Sequence, residues 1–204
     1  MNPAFSENGM NSLRKGRVNF KNRKRIVKKN ILLGVTASIA AYKACDIINR
    51  LKETGFDVTV CVTKDALQFI TPLTLQTLSG NKVFCEMFEA SADYNPVHIS
   101  LAKKTDLLLI APATADCISK IAAGICDDIL NCAVVSTKAP ILIAPAMNEN
   151  MHRNKIVQAN IKKLKQLGFK FIGPKKGKLV CGTEGTGHIA DVVQIVKEVK
   201  RALR

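Results

Sequence analysis

Several stretches of this chain pair reactive side chains with backbone that bends. In GKLVCGTEGTGHIAD, residues 177–191, a single thiol, Cys181, is followed by three glycines within six residues. A thiol with an ordinary pKa of about 8.5 is mostly protonated near neutral pH, so it can deliver a proton. Glycines around it would let the segment close over a substrate, exclude water and open again. The plainer reading is a cysteine that fills a small gap in a turn. In PAMNENM, residues 145–151, Asn148 stands between Met147 and Glu149. Its carboxamide both donates and accepts, which suits gripping an amide or a carboxylate. Asparagine is equally at home as a helix N-cap.

Two further loops, GVTAS and APATAD, offer small residues and the hydroxyls of Thr36, Ser38 and Thr114. Each precedes a helix start, whose free backbone N–H groups make an anion site suited to phosphate. The first loop is not G-x-G-x-x-G, and no acidic ribose ligand follows the second strand. A mononucleotide therefore fits better than a dinucleotide. His98 stands alone in NPVHISL. By itself a lone histidine reads as a surface or satisfied core residue, and His152 and His188 read the same way.

These loops need elements to hold them. Ile31–Val35 is a short apolar run that predicts a buried strand. Ala40–Lys52 has helical spacing, with Ala44, Ile47, Ile48 and Leu51 on one face and Gly55 as the stop. DVTVCVT (57–63) predicts a second strand, completing the unit that builds parallel sheets. DLLLIAPAT (106–114), APILIAPAM (139–147) and FKFIG predict further strands. ADCISKIAAG, DDILNCAVVSTK, NKIVQANIKKLKQLG and IADVVQIVKEVKRAL predict helices. The sum is a doubly wound, Rossmann-like parallel α/β sheet in three layers, α/β/α. Ligands in such sheets bind beyond the carboxyl ends of the strands.

Composition agrees. The 204 residues are 47% apolar but only 5% aromatic, an aliphatic core suited to a helix-covered parallel sheet. No apolar run is long enough to span a bilayer, and none follows the basic N-terminal residues as a signal peptide would. Seven cysteines without a Cys-x-x-Cys pair read as reduced thiols of a cytoplasmic protein, with no metal site. The net charge is +15, and the first thirty residues hold nine lysines and arginines against one acid, Glu7. Residues 1–29 read as a basic, disordered arm ahead of a domain at 30–204. Few apolar or aromatic residues interleave with the charges, so a solvated leader is favoured over a nucleic-acid contact.

Six stretches, GVTASIAAYK, VTKDALQFITP, HISL, LLLIAPATAD, PAMNENM and CGTEGTGHI, follow one another across essentially residues 30–200. In that order they resemble the homo-oligomeric flavin-containing cysteine decarboxylases. The resemblance implies FMN as cofactor. It sets the flavin phosphate and ribityl chain against Ser38, Thr63 and the loop of Thr114, Ala115, Asp116 and Cys117, with Phe69 near the ring. It implies catalytic roles for His98 and Cys181, the latter giving a proton from a mobile flap. It puts Asn148 on the substrate's carboxylate and amide, with Ala146 and Met151 in the same substrate-binding stretch. It further implies a flavodoxin-like homotrimer, assembled into a dodecamer in many members. FMN then lies at a subunit interface, so His98 would serve a neighbouring subunit's flavin.

The implied reaction is decarboxylation of 4′-phosphopantothenoylcysteine to 4′-phosphopantetheine in coenzyme A biosynthesis. The cysteine nitrogen of that substrate is acylated, so pyridoxal phosphate cannot form a Schiff base with it. Flavin can instead oxidise the CH2–SH group to a thioaldehyde, which accepts the electrons as CO2 leaves. The resulting enethiol is then reduced and protonated, with no net redox change. Where relatives carry a C-terminal synthetase domain, this chain is expected to hold the decarboxylase half alone, and whether a separate phosphopantothenoylcysteine synthetase is its partner stays open. His188 stands where arginine is common, and Ala37 where glycine is. A peptidyl-cysteine decarboxylase would keep the same loops, and a flavin prenyltransferase would need neither Asn148 nor Cys181. A regulatory binding relative would carry an acidic tail or lack a catalytic residue.

Overall fold

Leu107–Ala113 (β4) is apolar at every position and buried at every position. A strand reads this way when helices cover both faces of its sheet. Asn30–Val35 (β1) pairs in parallel with β4 on one side and with Asp57–Val62 (β2) on the other. Ile141–Pro145 (β5) extends the sheet from β4, Lys170–Phe171 (β6) from β5, and Val83–Phe84 (β3) from β2. The spatial order is β3-β2-β1-β4-β5-β6, all parallel. Without the two-residue edge strand β3, the remaining strands run 2-1-3-4-5 by sequence, the flavodoxin-like order. The direction of winding reverses between β1 and β4, so the crevice outside their carboxyl ends is the expected ligand site. The computed structural model describes residues 28–88, 96–178 and 184–204. Cys181 and most of the basic arm lie outside the described residues.

Alternation along β1 divides the core in two. Ile31, Leu33 and Val35 face one layer, with Lys43–Glu53 (α1) and Val192–Ala202 (α8). Leu32 faces the other, with Ala115–Ala123 (α4), Ile129–Ser136 (α5) and Lys155–Gln166 (α7). Each fully buried leucine or isoleucine contributes about 1.5–3 kcal/mol, so the two aliphatic layers hold the sheet between its helices.

The predicted strands and helices appear with ends trimmed by one or two residues in most cases. The helix expected from Ala40 opens with a 3-10 turn at Ile39–Tyr42. There the Ser38 carbonyl accepts from the Ala41 amide at 2.8 Å, which tightens the first turn. Gly55, Gly124 and Gly168 end their helices at φ of +91°, +72° and +92°.

Sequence periodicity did not reveal Pro72–Ser79 (α2), Val97–Lys104 (α3), Glu149–Arg153 (α6) or β3. Nor did it reveal an antiparallel hairpin of Lys175–Lys178 (β7) and Glu184–His188 (β8). Glycines that read as freedom at 185 and 187 are part of a paired strand. Among the described residues, no helix is long and apolar enough to cross a membrane, and the six cysteines are free thiols.

Candidate active site

The loops at the carboxyl ends of four strands are joined by one run of hydrogen bonds. The Thr63 amide, just past β2, donates to the Val35 carbonyl at the end of β1 at 3.0 Å. Thr36 follows Val35, and its hydroxyl donates to the Pro112 carbonyl in β4 at 2.8 Å. The same hydroxyl accepts from the Thr114 amide at 3.0 Å. The Ala146 amide, just past β5, donates to the Ala113 carbonyl at 2.9 Å. Thr36 is 2% exposed. Both functions of its hydroxyl are engaged inside the protein, so it braces the crevice and is not an anion ligand.

Ser38 and Thr114 stand on either side of the β1–β4 crevice. Ser38 is half-buried, and its Oγ accepts from the Ala40 amide at 3.2 Å. That bond uses an acceptor site of the serine oxygen and leaves its hydroxyl proton able to donate. Thr114 is the N-cap of α4 and accepts from the Cys117 amide at 3.2 Å. The Ala115 and Asp116 amides have no intrahelical acceptor by their position. Together with the helix dipole they make this end of α4 attractive to an anion.

Asp116 is exposed and pairs with Lys120 at 3.3 Å, one turn along the helix. The Cys117 side chain is buried, and burial pushes its thiol far above the ordinary range. What Cys117 brings to the site is its place in the first turn, not a thiolate. Thr63 starts a second 3-10 turn, Lys64–Gln68, with no side-chain cap bond. Phe69 closes that turn with 47% of its surface exposed, an apolar plate at the rim.

The β5 loop holds the substrate candidates. Ala146 is buried, Met151 is exposed, and Asn148 caps α6 by accepting from the Asn150 amide at 2.8 Å. The cap reading is thus correct in geometry, and it fixes the orientation of the carboxamide. Strand β8 lies directly against this loop. The Met147 amide donates to the Gly187 carbonyl at 3.0 Å. A Cβ on Gly187 would sit 2.1 Å from the Met147 carbonyl oxygen, so only glycine allows the approach. Glu149 also reaches β8, a contact that its place beside Asn148 in PAMNENM hinted at but did not specify.

His98 lies in the first turn of α3. The Asn30 side chain donates to the Lys104 carbonyl at the other end of that helix, beside the start of β1. His98 is therefore at the carboxyl-end side of the sheet, as are the other candidates among the described residues. Its Nδ1 is buried and has no hydrogen-bond partner among the described residues. Helix α5 packs beside α3, with Thr137 Oγ1 donating to the Ala102 carbonyl at 3.5 Å. Asp128 caps α5 by accepting from the Asn131 amide at 2.7 Å, and burial holds its carboxyl above the usual range. Sequence reading missed Asp128, whose capping role follows from its place before an apolar run.

Small residues, a serine hydroxyl, unpaired helix-start amides and an apolar ring edge one crevice at the switch point of the sheet. That donor set fits a phosphate-bearing aromatic cofactor such as FMN, and the acid in the first turn of α4, Asp116, is paired with Lys120. Residues 19–204 match the model of a family described as Flavoprotein. The chain belongs to the Flavoprotein family.

Individual flavoproteins refine the comparison. The probable phosphopantothenoylcysteine decarboxylase of Streptococcus mutans serotype c is 42% identical over 177 residues, 86% of this chain and 99% of that protein. The coenzyme A biosynthesis bifunctional protein CoaBC of Vibrio vulnificus is 46% identical over 168 residues, 82% of this chain. Against that relative the match spans only 42% of the relative's length. Among solved structures, a PPC decarboxylase mutant complexed with pantothenoylaminoethenethiol superposes with a TM-score of 0.75 at 30% identity. That alignment covers 85% of this chain and 97% of the other. The FMN-dependent cysteine decarboxylase SpaF gives a TM-score of 0.76 at 26% identity, covering 86% and 98%.

Proposed function

We propose that this flavoprotein decarboxylates 4′-phosphopantothenoylcysteine to 4′-phosphopantetheine with FMN as cofactor, a carboxy-lyase step of coenzyme A biosynthesis. One observation carries the reading: the Ala146–Ala113 hydrogen bond joins the loop of Asn148 to the anion-binding start of α4. A phosphate-anchored cofactor and a carboxylate grip thereby share one end of one sheet. The near full-length match to the Streptococcus mutans relative, named for this reaction, supports it.

Ser38, the α4 amides and Thr63 would hold the cofactor's phosphate and ribityl chain, with Phe69 beside its ring. When bound, FMN supplies a two-electron acceptor for the substrate's CH2–SH carbon and returns the pair after CO2 has left. Asn148 binds the substrate's carboxylate and amide through its carboxamide, held in place by its cap on α6. Ala146 and Met151 line the same stretch. Cys181, beyond the described part of the hairpin, donates the proton that completes the thiol product. His98, whose buried Nδ1 has no partner among the described residues, serves the site of a neighbouring subunit in a homotrimer or in a dodecamer built of four trimers.

Cys181→Ser in the FMN-loaded protein tests the assignment. The variant should release CO2 and accumulate the enethiol, seen by mass spectrometry. Normal turnover by that variant would remove Cys181 from the mechanism.

A further inference from the structure

The loop that carries Asn148 does more than present it. Alternate residues of β8 face that loop, and both are glycine. A Cβ on Gly185 would lie 2.5 Å from Glu149 Oε2, 2.7 Å from its Cδ and 3.0 Å from its Cβ. Between the two glycines, the Thr186 amide donates to Glu149 Oε1 at 3.3 Å. The Gly187 carbonyl accepts from Met147, two residues before Glu149. Glu149 makes no ion pair among the described residues, so this amide is the partner that its half-buried carboxylate has. An acceptor is what the position needs, because a strand edge offers it an N–H.

We propose that Glu149 is a positioning residue: its carboxylate fixes the height of β8 over the Asn148 loop and so sets the wall of the substrate cleft. The inference rests on the reading that Asn148 meets the substrate. Glycine at 185 and 187 lets the strand come close, and Glu149 stops it from sliding along the loop. The side chain acts through Thr186 and does not itself touch the reacting atoms.

Hydrogen–deuterium exchange of the FMN-loaded protein, read on peptides spanning 184–190, tests this beside steady-state kinetics with 4′-phosphopantothenoylcysteine. Glu149→Ala should speed exchange at Thr186 about tenfold and raise KM about tenfold, with kcat within about twofold of wild type. Glu149→Gln keeps an acceptor oxygen at the same reach and should restore both within about twofold. Glu149→Asp keeps the charge on a shorter arm and should resemble Glu149→Ala. If Glu149→Ala does not fold, the Gln and Asp variants decide by the same contrast. Unchanged exchange and KM in Glu149→Ala would overturn the proposal, as would Gln behaving like Ala. Exchange at Thr186 needs no turnover. Fast exchange in Glu149→Ala from a protein that fails to decarboxylate this substrate would sink the reading of the activity and leave the bracing role standing.

Discussion

The hydroxyl of Thr36 bridges β1 to β4, accepting from the Thr114 amide at 3.0 Å while donating to the Pro112 carbonyl at 2.8 Å. It thereby fixes the width of the crevice where the sheet reverses its winding. Thr36→Val keeps the shape and removes both bonds, leaving the part-buried Thr114 amide without its acceptor while the Pro112 carbonyl keeps only the Thr36 amide at 3.3 Å. We expect a loss of about 2 kcal/mol in urea unfolding of the apoprotein, and FMN affinity weakened about tenfold by fluorescence titration. Thr36→Ser should lie close to wild type in both. A valine variant with unchanged stability and FMN affinity would show that the bridge has no role.

Gly187 and Gly177 both lie in the β7–β8 hairpin, and their surroundings differ sharply. A Cβ at 187 would meet the Met147 backbone oxygen at 2.1 Å, whereas at 177 the nearest atom is the His188 Cβ at 3.8 Å. Gly187→Ala should therefore cost about 1–3 kcal/mol and lower kcat/KM, as the strand is forced away from the Asn148 loop. Gly177→Ala should leave both near wild type, and FMN content should be the same in the two variants. Thermal unfolding and initial rates check this, and equal behaviour of the two variants would contradict the close packing.

Asp106 ties the start of the sheet. Its carboxylate accepts from Lys29 Nζ and from the Asn30 amide, each at 2.8 Å. The Lys29 hydrogen bond, and after it that of the Asn30 amide, holds the Asp106 carboxyl below its ordinary value. A lowered folded value means stability that is complete above the unfolded carboxyl pKa, about 3.9, and lost as pH falls through the folded one. With the pair partly exposed, Asp106→Asn should cost about 1 kcal/mol at neutral pH. The difference from wild type should shrink below about pH 4 in acid unfolding curves and vanish once the native carboxyl is protonated. A constant difference down to strong acid would contradict this source of stability.

The central strands and the helices that cover them were legible because their signal is local. Leu107–Ile110 is solidly apolar, and Ala44, Ile47, Ile48 and Leu51 recur at helical spacing. Val83–Phe84 is too short to show any period, and α3 begins beside residues with no apolar pattern. The candidate site residues drew notice through their loops, yet their bonding was not visible there. Thr36 looked like a ligand hydroxyl because its two partners lie 76 and 78 residues away. Gly185 and Gly187 read as mobility, since a sequence shows a missing Cβ without showing what occupies its space. Here that space holds Glu149 and the Met147 carbonyl. His98 carries no local signal of chemistry, and only its place at the carboxyl-end side of the sheet, with a ring nitrogen that has no partner among the described residues, sets it apart.

The most direct measurement is mass spectrometry of 4′-phosphopantothenoylcysteine incubated with the FMN-loaded protein, with a peptide ending in cysteine as the competing substrate. We predict loss of one CO2 from the phosphorylated thiol, formation of 4′-phosphopantetheine, FMN unchanged at the end, and much slower reaction of the peptide. An FMN-saturated protein that leaves the phosphorylated thiol intact, or that prefers the peptide, would contradict the account.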